Sequence, residues 1–457
     1  MKRRFKWIKG MLFLSTCPLL FCGCKGGSSE ELVLRVANCE EYIDEGDWDE
    51  AVELDNGVTV MADNSMVEDF EDWYYETYGE KINVEYSTYG TNEDLYNQLT
   101  LGSKFDLVCP SEYMILKLLS EDKLESFSDE FLNEEDENNY YIRGLSPYIR
   151  DVFENLSMNG KAMIQYGAGY MWGTMGIVYN PEVLEEEDLH HWSVLLSPKY
   201  YKQITMKDSI RDSYIVALCI LNEDTFLSED FLNDSDYDSL LSEKLNATDE
   251  ETVKKVEEIL SDMRKNAYSL ETDSGKADMV SGKVVANMQW SGDAVYTMDQ
   301  ADEDDYELDY FVPDEASNLW FDGFCMLKDG ISENPKKKQA AEAFINFISR
   351  PDNVIRNMNY IGYTSTISGG DNEDILEYVK YCYEDEEGVP YDLSYFFGDG
   401  ATIMVPEEQL HRQLLAQYPT EDVIHRCAVM SYYDTDANKR ISQMWTNIRC
   451  FRFPWED

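Results

Sequence analysis

Apolar runs of strand length alternate with stretches of helical periodicity along most of the chain. Short apolar runs predict strands at Leu32–Ala37, Ile82–Tyr86, Phe105–Cys109, Ile204–Met206, Val284–Trp290 and Phe324–Leu327. Apolar residues at helical spacing predict helices at Val67–Tyr78, after the candidate cap Asn92, from Ser111-Glu112 onward, from Ile210 to Leu221 and at Pro335–Ile348. This alternation predicts βαβ units, and so an α/β fold with mainly parallel sheets that are covered by helices on both faces.

Three acidic stretches interrupt this pattern. Residues 45–64 are weakly patterned and predict an inserted loop, and residues 223–251 and 368–398 read as insertions on the α/β scaffold. The chain shows no internal repeat and no low-complexity tract.

The N-terminus has the form of an export signal. Five lysines and arginines precede the apolar run Met11–Phe21, which is followed by Cys22-Gly23-Cys24 and a small, polar segment. Eleven residues at about 1.5 Å rise each cover only about half of a ~30 Å hydrocarbon core, so the run is too short to span a membrane. The segment resembles a bacterial lipoprotein signal, which implies cleavage after residue 23, lipid modification of Cys24 and a tether over residues 24–31. An ordinary cleaved signal with an incidental cysteine is the alternative, and both place the mature protein outside the cytoplasm.

The chain is strongly acidic. Its formal charge is −53, and loss of the leader with its five positive charges would leave about −58. Nucleic acid and anionic membrane surfaces attract positive charge, so this composition argues against both as partners. The same field would attract a cationic ligand, although an acidic surface also serves solubility alone.

No catalytic, metal or cofactor motif is present. The four histidines (190, 191, 411 and 425) have no zinc or triad spacing, and the sequence has no GxSxG, phosphate-binding loop or GxGxxG after a strand. Seven cysteines follow Cys24 without CxxC pairs, and their apolar surroundings favour buried thiols over a disulfide framework, although pairing is left open. These observations predict a protein that is not an enzyme and that holds no resident metal or cofactor.

Aromatic residues and carboxylates gather where predicted strands end. In open α/β sheets, ligands bind at the carboxyl ends of strands. Taken singly, each of these residues also fits a purely structural role, such as capping a helix or filling the core. Together they match a polyamine, because a polyamine needs carboxylates for its amines and aromatic walls for its methylenes. Sugar sites share the aromatic walls but usually add amides and arginine. The candidates are Glu41, Tyr42, Ser111, Tyr113, Asp208, Asp212, Trp290, Trp320, Asp322 and Tyr363.

At these residues the chain resembles the spermidine/putrescine-binding proteins of bacterial polyamine import systems. Nine segments occur in the order of that family: 38–42, 87–93, 105–113, 172–176, 208–212, 290–294, 319–322, 345–351 and 361–363. The resemblance implies a two-lobed periplasmic-binding-protein fold (type II), with two mixed, mainly parallel sheets flanked by helices and a ligand cleft between the lobes. It also implies a protein that delivers its ligand to a membrane-embedded ABC permease with its ATPase.

The resemblance further implies lobe boundaries and roles for the candidates. Lobe 1 would comprise residues 32–174 and 321–366, and lobe 2 residues 175–320 and 367–457. Asp322 would bind the inner amine, Asp208 or Asp212 an outer amine and Glu41 a terminal amine. The remaining candidates would line the cleft: Tyr42, Ser111, Tyr113, Trp290, Trp320 and Tyr363.

Cys39 departs from the family, which usually has tryptophan there, so one stacking wall is missing and a roomier cleft is expected unless Tyr42 or Tyr89 fills the space. The choice among spermidine, putrescine and a related cation stays open. The alternative is the same fold with a sugar or another small cationic solute as its ligand. A secreted enzyme would need catalytic residues, for which the sequence gives no support.

Overall fold

The structure is a computed structural model that describes residues 32–331 and 334–450. The predicted leader, the tether and Cys24 lie outside the described residues. Within these two ranges the chain forms eighteen β-strands, twenty α-helices and four short 3-10 helices. No helix among these residues is long and apolar enough to cross a membrane.

The strands are β1 (Leu32–Cys39), β2 (Val52–Glu53), β3 (Thr59–Val60), β4 (Ile82–Tyr89), β5 (Leu107–Val108), β6 (Leu124–Glu125), β7 (Ser157–Met158), β8 (Lys161–Ala162), β9 (Gly167–Tyr179), β10 (Ile204–Lys207), β11 (Ser269–Glu271), β12 (Ala286–Trp290), β13 (Asp309–Phe311), β14 (Ser317–Leu327), β15 (Thr364–Ser365), β16 (Val389–Asp392), β17 (Thr402–Val405) and β18 (Cys427–Val429).

The helices are α1 (Met66–Tyr78), α2 (Asn92–Thr100), α3 (Glu112–Ser120), α4 (Tyr140–Gly144), α5 (Pro147–Asn155), α6 (Glu186–Leu189), α7 (Ile210–Phe226), α8 (Glu229–Leu232), α9 (Tyr237–Leu245), α10 (Glu250–Asn266), α11 (Gly275–Val280), α12 (Ser291–Glu303), α13 (Lys328–Ile331), α14 (Pro335–Ile348), α15 (Pro351–Ile361), α16 (Asp374–Tyr383), α17 (Ser394–Phe397), α18 (Gln413–Gln417), α19 (Glu421–His425) and α20 (Thr435–Cys450). The 3-10 helices span Met163–Gln165, Trp192–Leu196, Pro198–Tyr200 and Glu407–His411.

Local capping explains where the predicted helices begin. Ser65 and Glu68 form a capping box at the start of α1, and Gly79 ends that helix with φ 69°. Asn334 caps α14, with Pro335 in its first position. The expectation that Asn92 caps α2 is wrong, because the cap is Thr91, whose hydroxyl accepts from the Asp94 amide.

The acidic stretches are partly ordered into secondary structure. Residues 45–64 contain the short hairpin of β2 and β3. Residues 223–251 contain α8 and α9, and residues 368–398 contain α16, β16 and α17.

Twelve strands form one mixed sheet, in which the central path has the order β11-β10-β12-β9-β14-β5-β1-β4. β1 pairs in parallel with β4 and β5, and β10 pairs in parallel with β11 and β12. The α/β fold is therefore confirmed. The two predicted sheets are two halves of this one sheet. They are joined by β9 and β14, which pair antiparallel with each other and run through both halves.

Buried side chains form two large clusters, one on each half of the sheet. The first includes Phe70, Trp172 and Phe344, and the second includes Trp192 and Trp445. A smaller third cluster packs on β9 and α12. Much of the segment 367–418 packs into the first cluster, through residues that include Ile367, Tyr378, Tyr391, Phe396 and Tyr418. The seven cysteines of the described residues are free thiols.

Candidate ligand-binding site

Asp322 lies on β14, where side chains from two other strand ends reach it. Tyr42, in the loop after β1, donates its hydroxyl to Asp322 Oδ2 at 2.8 Å, and Ser111, after β5, donates to Oδ1 at 2.7 Å. Ser111 occupies the N-cap position of α3 but makes no side-chain capping bond, because its hydroxyl is directed to Asp322 instead. The carboxyl ends of β1 and β5 therefore converge on one carboxylate, as expected for an open α/β sheet.

The electrostatic environment of Asp322 leaves its negative charge uncompensated. Burial raises the pKa of its carboxyl to about 6, and the charge of Asp212 acts in the same direction against the two hydroxyl donors. In the described part of the chain, no lysine, arginine or histidine lies within ion-pair distance of Asp322. A carboxylate in this state suits a ligand that brings its own positive charge.

Aromatic rings surround the same carboxylate. The Tyr363 ring centroid lies 5.1 Å from that of Tyr42 and 5.7 Å from that of Trp320, and Tyr42 also packs edge-on against Tyr170. Trp320 is held in place by its indole N–H, which donates to the Thr174 carbonyl at 3.2 Å. These rings provide apolar walls with π faces that suit methylenes and cations.

The first turn of α12 holds Tyr363 against the second half of the sheet. Tyr363 donates its hydroxyl to Asp293 Oδ1 at 2.9 Å. Its ring lies directly over Gly292, where a Cβ atom would come within 2.3 Å of it. A residue without a side chain is therefore required beneath the ring.

Asp212 and Trp290 lie on the second half of the sheet. Trp290 ends β12 and donates its indole N–H at 3.1 Å to Oδ1 of Asp212, which lies in the first turn of α7. Burial raises the pKa of the Asp212 carboxyl. Because the charge of Asp212 in turn raises the pKa of Asp322, the two carboxylates act on a common region.

Asp208 points elsewhere. Its Oδ2 lies 3.1 Å from a guanidinium nitrogen of Arg449 on α20. It does not cap α7 either, since the cap is Ser209, whose hydroxyl accepts from the Asp212 amide. Of the two acids left open by the sequence, Asp212 is the one whose carboxylate contacts a candidate aromatic residue, Trp290.

Glu41 and Tyr113 lie at the margin of this group. Glu41 is exposed, with a left-handed φ of 53°, and its charge contributes to the raised pKa of Lys276. Tyr113 donates to Glu93 Oε1 at 3.3 Å, and the Arg211 guanidinium lies 4.4 Å from its ring centroid.

Sequence reasoning missed three side chains of this region. Asn92 donates to Ser111 Oγ at 2.9 Å and accepts from the Ser111 amide at 3.0 Å, so it orients the donor to Asp322. Asp293 and Lys207 form an ion pair at 3.4 Å on the second half. A lysine directly after the apolar run Ile204–Met206 was a signal for Lys207, and Asp293 lies within a segment that carried the family resemblance.

Comparisons with known proteins bear on this arrangement. A spermidine/putrescine-binding periplasmic protein of Salmonella typhimurium is 25% identical over 284 residues, which cover 62% of this chain and 70% of that protein. The crystal structure of a spermidine/putrescine ABC transporter substrate-binding protein from Streptococcus pneumoniae is similar, with a TM-score of 0.59 and 24% identity over 92% of this chain and 99% of that one. A Treponema pallidum lipoprotein superposes with a TM-score of 0.60 at 17% identity, over 91% of this chain and 99% of its own.

The likeness to these solved structures establishes the fold, including its two-lobed architecture. Residues 65–376 match the family described as Bacterial extracellular solute-binding protein. Members of that family bind solutes for transport and are not enzymes. This chain therefore belongs to the bacterial extracellular solute-binding proteins.

Proposed function

We propose that this protein captures polyamines of the spermidine/putrescine class in the cleft around Asp322 and delivers them to an ABC permease with its ATPase. The observation that carries the proposal is a carboxylate with two neutral hydroxyl donors, no protein cation within ion-pair distance among the described residues, and a ring of tyrosine and tryptophan walls. The names of similar proteins from Salmonella and Streptococcus agree with this ligand class.

Each part of the site has a role in the proposal. Asp322 binds the inner ammonium group, and Tyr42, Trp320 and Tyr363 enclose the methylene chain. Asp212, aligned by the Trp290 indole, binds an outer ammonium group. Ser111 and Tyr113 complete the wall of the first half, and Glu41 at the exposed margin is the alternative partner for this same terminal amine. Asp208, which pairs with Arg449, stays outside the cleft.

Attachment to the cell membrane through a lipid on Cys24 is part of the proposal. It is supported by the leader sequence and by the similarity to a protein named as a lipoprotein in Treponema pallidum. Such an anchor would hold the binding protein on the extracytoplasmic face, beside the permease that it serves.

Calorimetric titration of Asp322→Asn tests the ligand class. Removing the carboxylate leaves a buried ammonium group without its partner, which costs about 2–5 kcal/mol, so spermidine and putrescine affinities should fall by at least about tenfold. The matched control is Asp208→Asn, which removes an acid of the same region that pairs with Arg449, and it should retain affinity within about threefold. Melting curves of both variants should stay near that of the wild-type protein.

The same titration includes a sugar panel. Heat from a sugar and none from either polyamine would contradict the proposal and favour the alternative solute. Equal polyamine affinities for the wild-type protein and Asp322→Asn would remove Asp322 from the site.

A further inference from the structure

Lys207 is a resident cation in the second half of the cleft. Lys207 is the last residue of β10 and is 1% exposed. Its ammonium group donates to the Thr272 carbonyl at 2.9 Å. It lies 3.4 Å from Glu271 Oε1 and 3.4 Å from Asp293 Oδ2. It also lies 4.3 Å from the ring centroid of Trp290, in the geometry of a cation–π contact.

Asp293 has a second lysine partner. Lys276 Nζ is 3.5 Å from Asp293 Oδ1, and it also pairs with Asp273 at 2.6 Å. Burial opposes ionisation of Asp293, but the two ammonium groups, together with the Tyr363 hydroxyl, outweigh it and lower the pKa of this carboxyl. The negative charge of Asp293 is therefore already compensated by the protein itself.

The carboxylates of the cleft thus fall into two sets. Asp293 and Glu271 pair with lysine, whereas Asp322 and Asp212 have hydrogen-bond donors but, within the described residues, no cation at ion-pair distance. We propose that Lys207 makes the site selective for a linear diamine over a triamine, because its ammonium group takes the place on Trp290 and Asp293 that a third ligand amine would need. This inference rests on the proposed polyamine function and specifies the ligand within it.

Parallel titrations with putrescine, a diamine, and spermidine, a triamine, test the inference. The wild-type protein should bind putrescine at least about tenfold more tightly, since a third ammonium group would meet a resident one. Lys207→Met frees two buried carboxylates and a π face, so the affinity ratio should move toward spermidine by at least about tenfold. Lys276→Met replaces a lysine that is 19% exposed, and it should move the affinity ratio toward spermidine by a smaller factor. This second variant tests the inference if Lys207→Met fails to fold. The control is Lys283→Met, a surface lysine paired with Asp278, which should leave the ratio unchanged.

The outcomes separate the two proposals. Wild-type protein that binds spermidine as tightly as putrescine, or an unchanged ratio in both cleft-lysine variants, overturns the role of Lys207 and leaves the polyamine function standing. Wild-type protein that binds neither amine overturns the polyamine function, and the selectivity inference falls with it.

A different observation concerns His191, Glu223 and Glu315, none of which belongs to the proposed polyamine site. His191 precedes a 3-10 helix, Glu223 lies in the last turn of α7, and Glu315 precedes β14. His191 Nδ1 is 3.8 Å from Glu223 Oε1 and 3.6 Å from Glu315 Oε2, and the three ligand atoms lie within 4.8 Å of one another. The histidine spacing in the sequence gave no sign of this group because its members come from three separate segments.

Two atoms of this group are buried without a hydrogen-bond partner. Glu315 is 1% exposed, and its Oε1 accepts from the Trp192 amide at 2.6 Å, but Oε2 has no partner. His191 Nδ1, which faces Oε2, is likewise without one. Buried polar atoms are rarely left unsatisfied, so this pair points to a ligand that serves both.

The geometry points to a divalent transition-metal site of the zinc class. Zinc–ligand distances of about 2.0–2.2 Å imply that ligand atoms in a tetrahedron are about 3.3–3.6 Å apart, close to the separations of His191 from both glutamates. An imidazole nitrogen favours zinc over calcium or magnesium, which take oxygen ligands. A metal here would link α7, which carries Asp212, to the start of β14, which carries Asp322.

Zinc titration of the chelator-treated, full-length protein tests this site by calorimetry and thermal melting. The wild-type protein should bind one equivalent of Zn²⁺ and melt at a higher temperature with it. His191→Gln and the half-exposed Glu223→Gln should each weaken zinc binding by at least about tenfold. The control is His425→Gln, which removes a surface histidine near Asp238 and should leave binding unchanged. No zinc binding by the wild-type protein, or equal affinities across all four proteins, would overturn the site and leave His191 as an ordinary ion-pair partner of the glutamates.

Discussion

In the proposed function, Asp322 couples ligand capture to its own ionisation. With a pKa of about 6 in the free protein, its carboxyl is mostly charged at pH 7.5 and mostly neutral at pH 5. A cationic ligand binds the charged form, and burial of Asp212 raises its pKa in the same direction. Putrescine affinity should therefore fall as the pH drops through 6, by up to about tenfold per pH unit below the pKa.

Calorimetry between pH 5 and 8 measures this dependence. Asp322→Asn, which cannot ionise at this position, should bind weakly with a flatter pH profile. A wild-type profile as flat as that of the variant would mean that Asp322 does not exchange its proton for the ligand.

Cys39 occupies the end of β1 directly beside Tyr89 of β4. Tyr89 is 3% exposed and Tyr42 is 6% exposed, so the space where a tryptophan would stack already holds two tyrosines. This packing favours the filled alternative over the roomier cleft, and Cys39→Trp should overpack the site. We expect a loss of about 1–3 kcal/mol in the free energy of unfolding and weaker polyamine binding.

Urea unfolding together with spermidine titration measures both effects. Cys450→Trp, at an exposed cysteine at the end of α20, is the control and should change neither. Tighter spermidine binding by Cys39→Trp at unchanged stability would instead mean that the aromatic wall at position 39 is missing from the wild-type protein.

The end of β12 and the first turn of α12 supply several parts of the proposed site within four residues. Trp290 aligns Asp212, Gly292 supports the Tyr363 ring, and Asp293 accepts from its hydroxyl. Because a Cβ at position 292 would meet that ring at 2.3 Å, Gly292→Ala should displace Tyr363 and lose its bond to Asp293.

We expect Gly292→Ala to lower the unfolding free energy by about 1–3 kcal/mol and to weaken polyamine binding. Thermal unfolding and calorimetry measure the two effects. Gly90→Ala, where the nearest atom beyond the adjoining residues would lie 3.5 Å from the new Cβ, is the control. Similar behaviour of both variants would show that the ring tolerates a side chain beneath it.

Helices and strands with strong local sequence signals were predicted with nearly correct bounds, but the contacts between them were not predicted. The helix predicted at Pro335–Ile348 has those bounds, because Asn334 and Pro335 fix its start. The convergence of Lys207, Glu271 and Asp293 could not be predicted, since periodicity reports which face of an element is buried and not which distant residue lies opposite. The ion pair between Asp208 and Arg449, which is 241 residues further along the chain, could likewise not be predicted.

The two halves of the molecule share strands as well as a cleft. β9 is buried along all thirteen residues, and it pairs with β14 from Thr174 opposite Leu319 to Gly167 opposite Cys325. The lobe boundaries stay a prediction, and for residues 367–405 the packing favours the first lobe over the second. The ligand would then lie where the shared strands cross between the halves, so that closure of the lobes and contact with Asp322 involve the same strand, β14.

The proposed attachment to the membrane depends on a segment outside the described residues. If Cys24 carries the lipid, Cys24→Ser should move the protein from the membrane fraction to the soluble fraction, because each buried methylene contributes about 0.8 kcal/mol to anchoring and no helix of the described residues could replace it. Cell fractionation with immunoblotting measures the shift, and Cys22→Ser, at the neighbouring cysteine of the leader, is the matched control that should stay with the membrane. Polyamine affinity of the released protein should equal that of the anchored one, since every residue of the proposed site follows the tether of residues 24–31. Retention of Cys24→Ser on membranes after washing without detergent would refute the lipid anchor while leaving the binding site untouched.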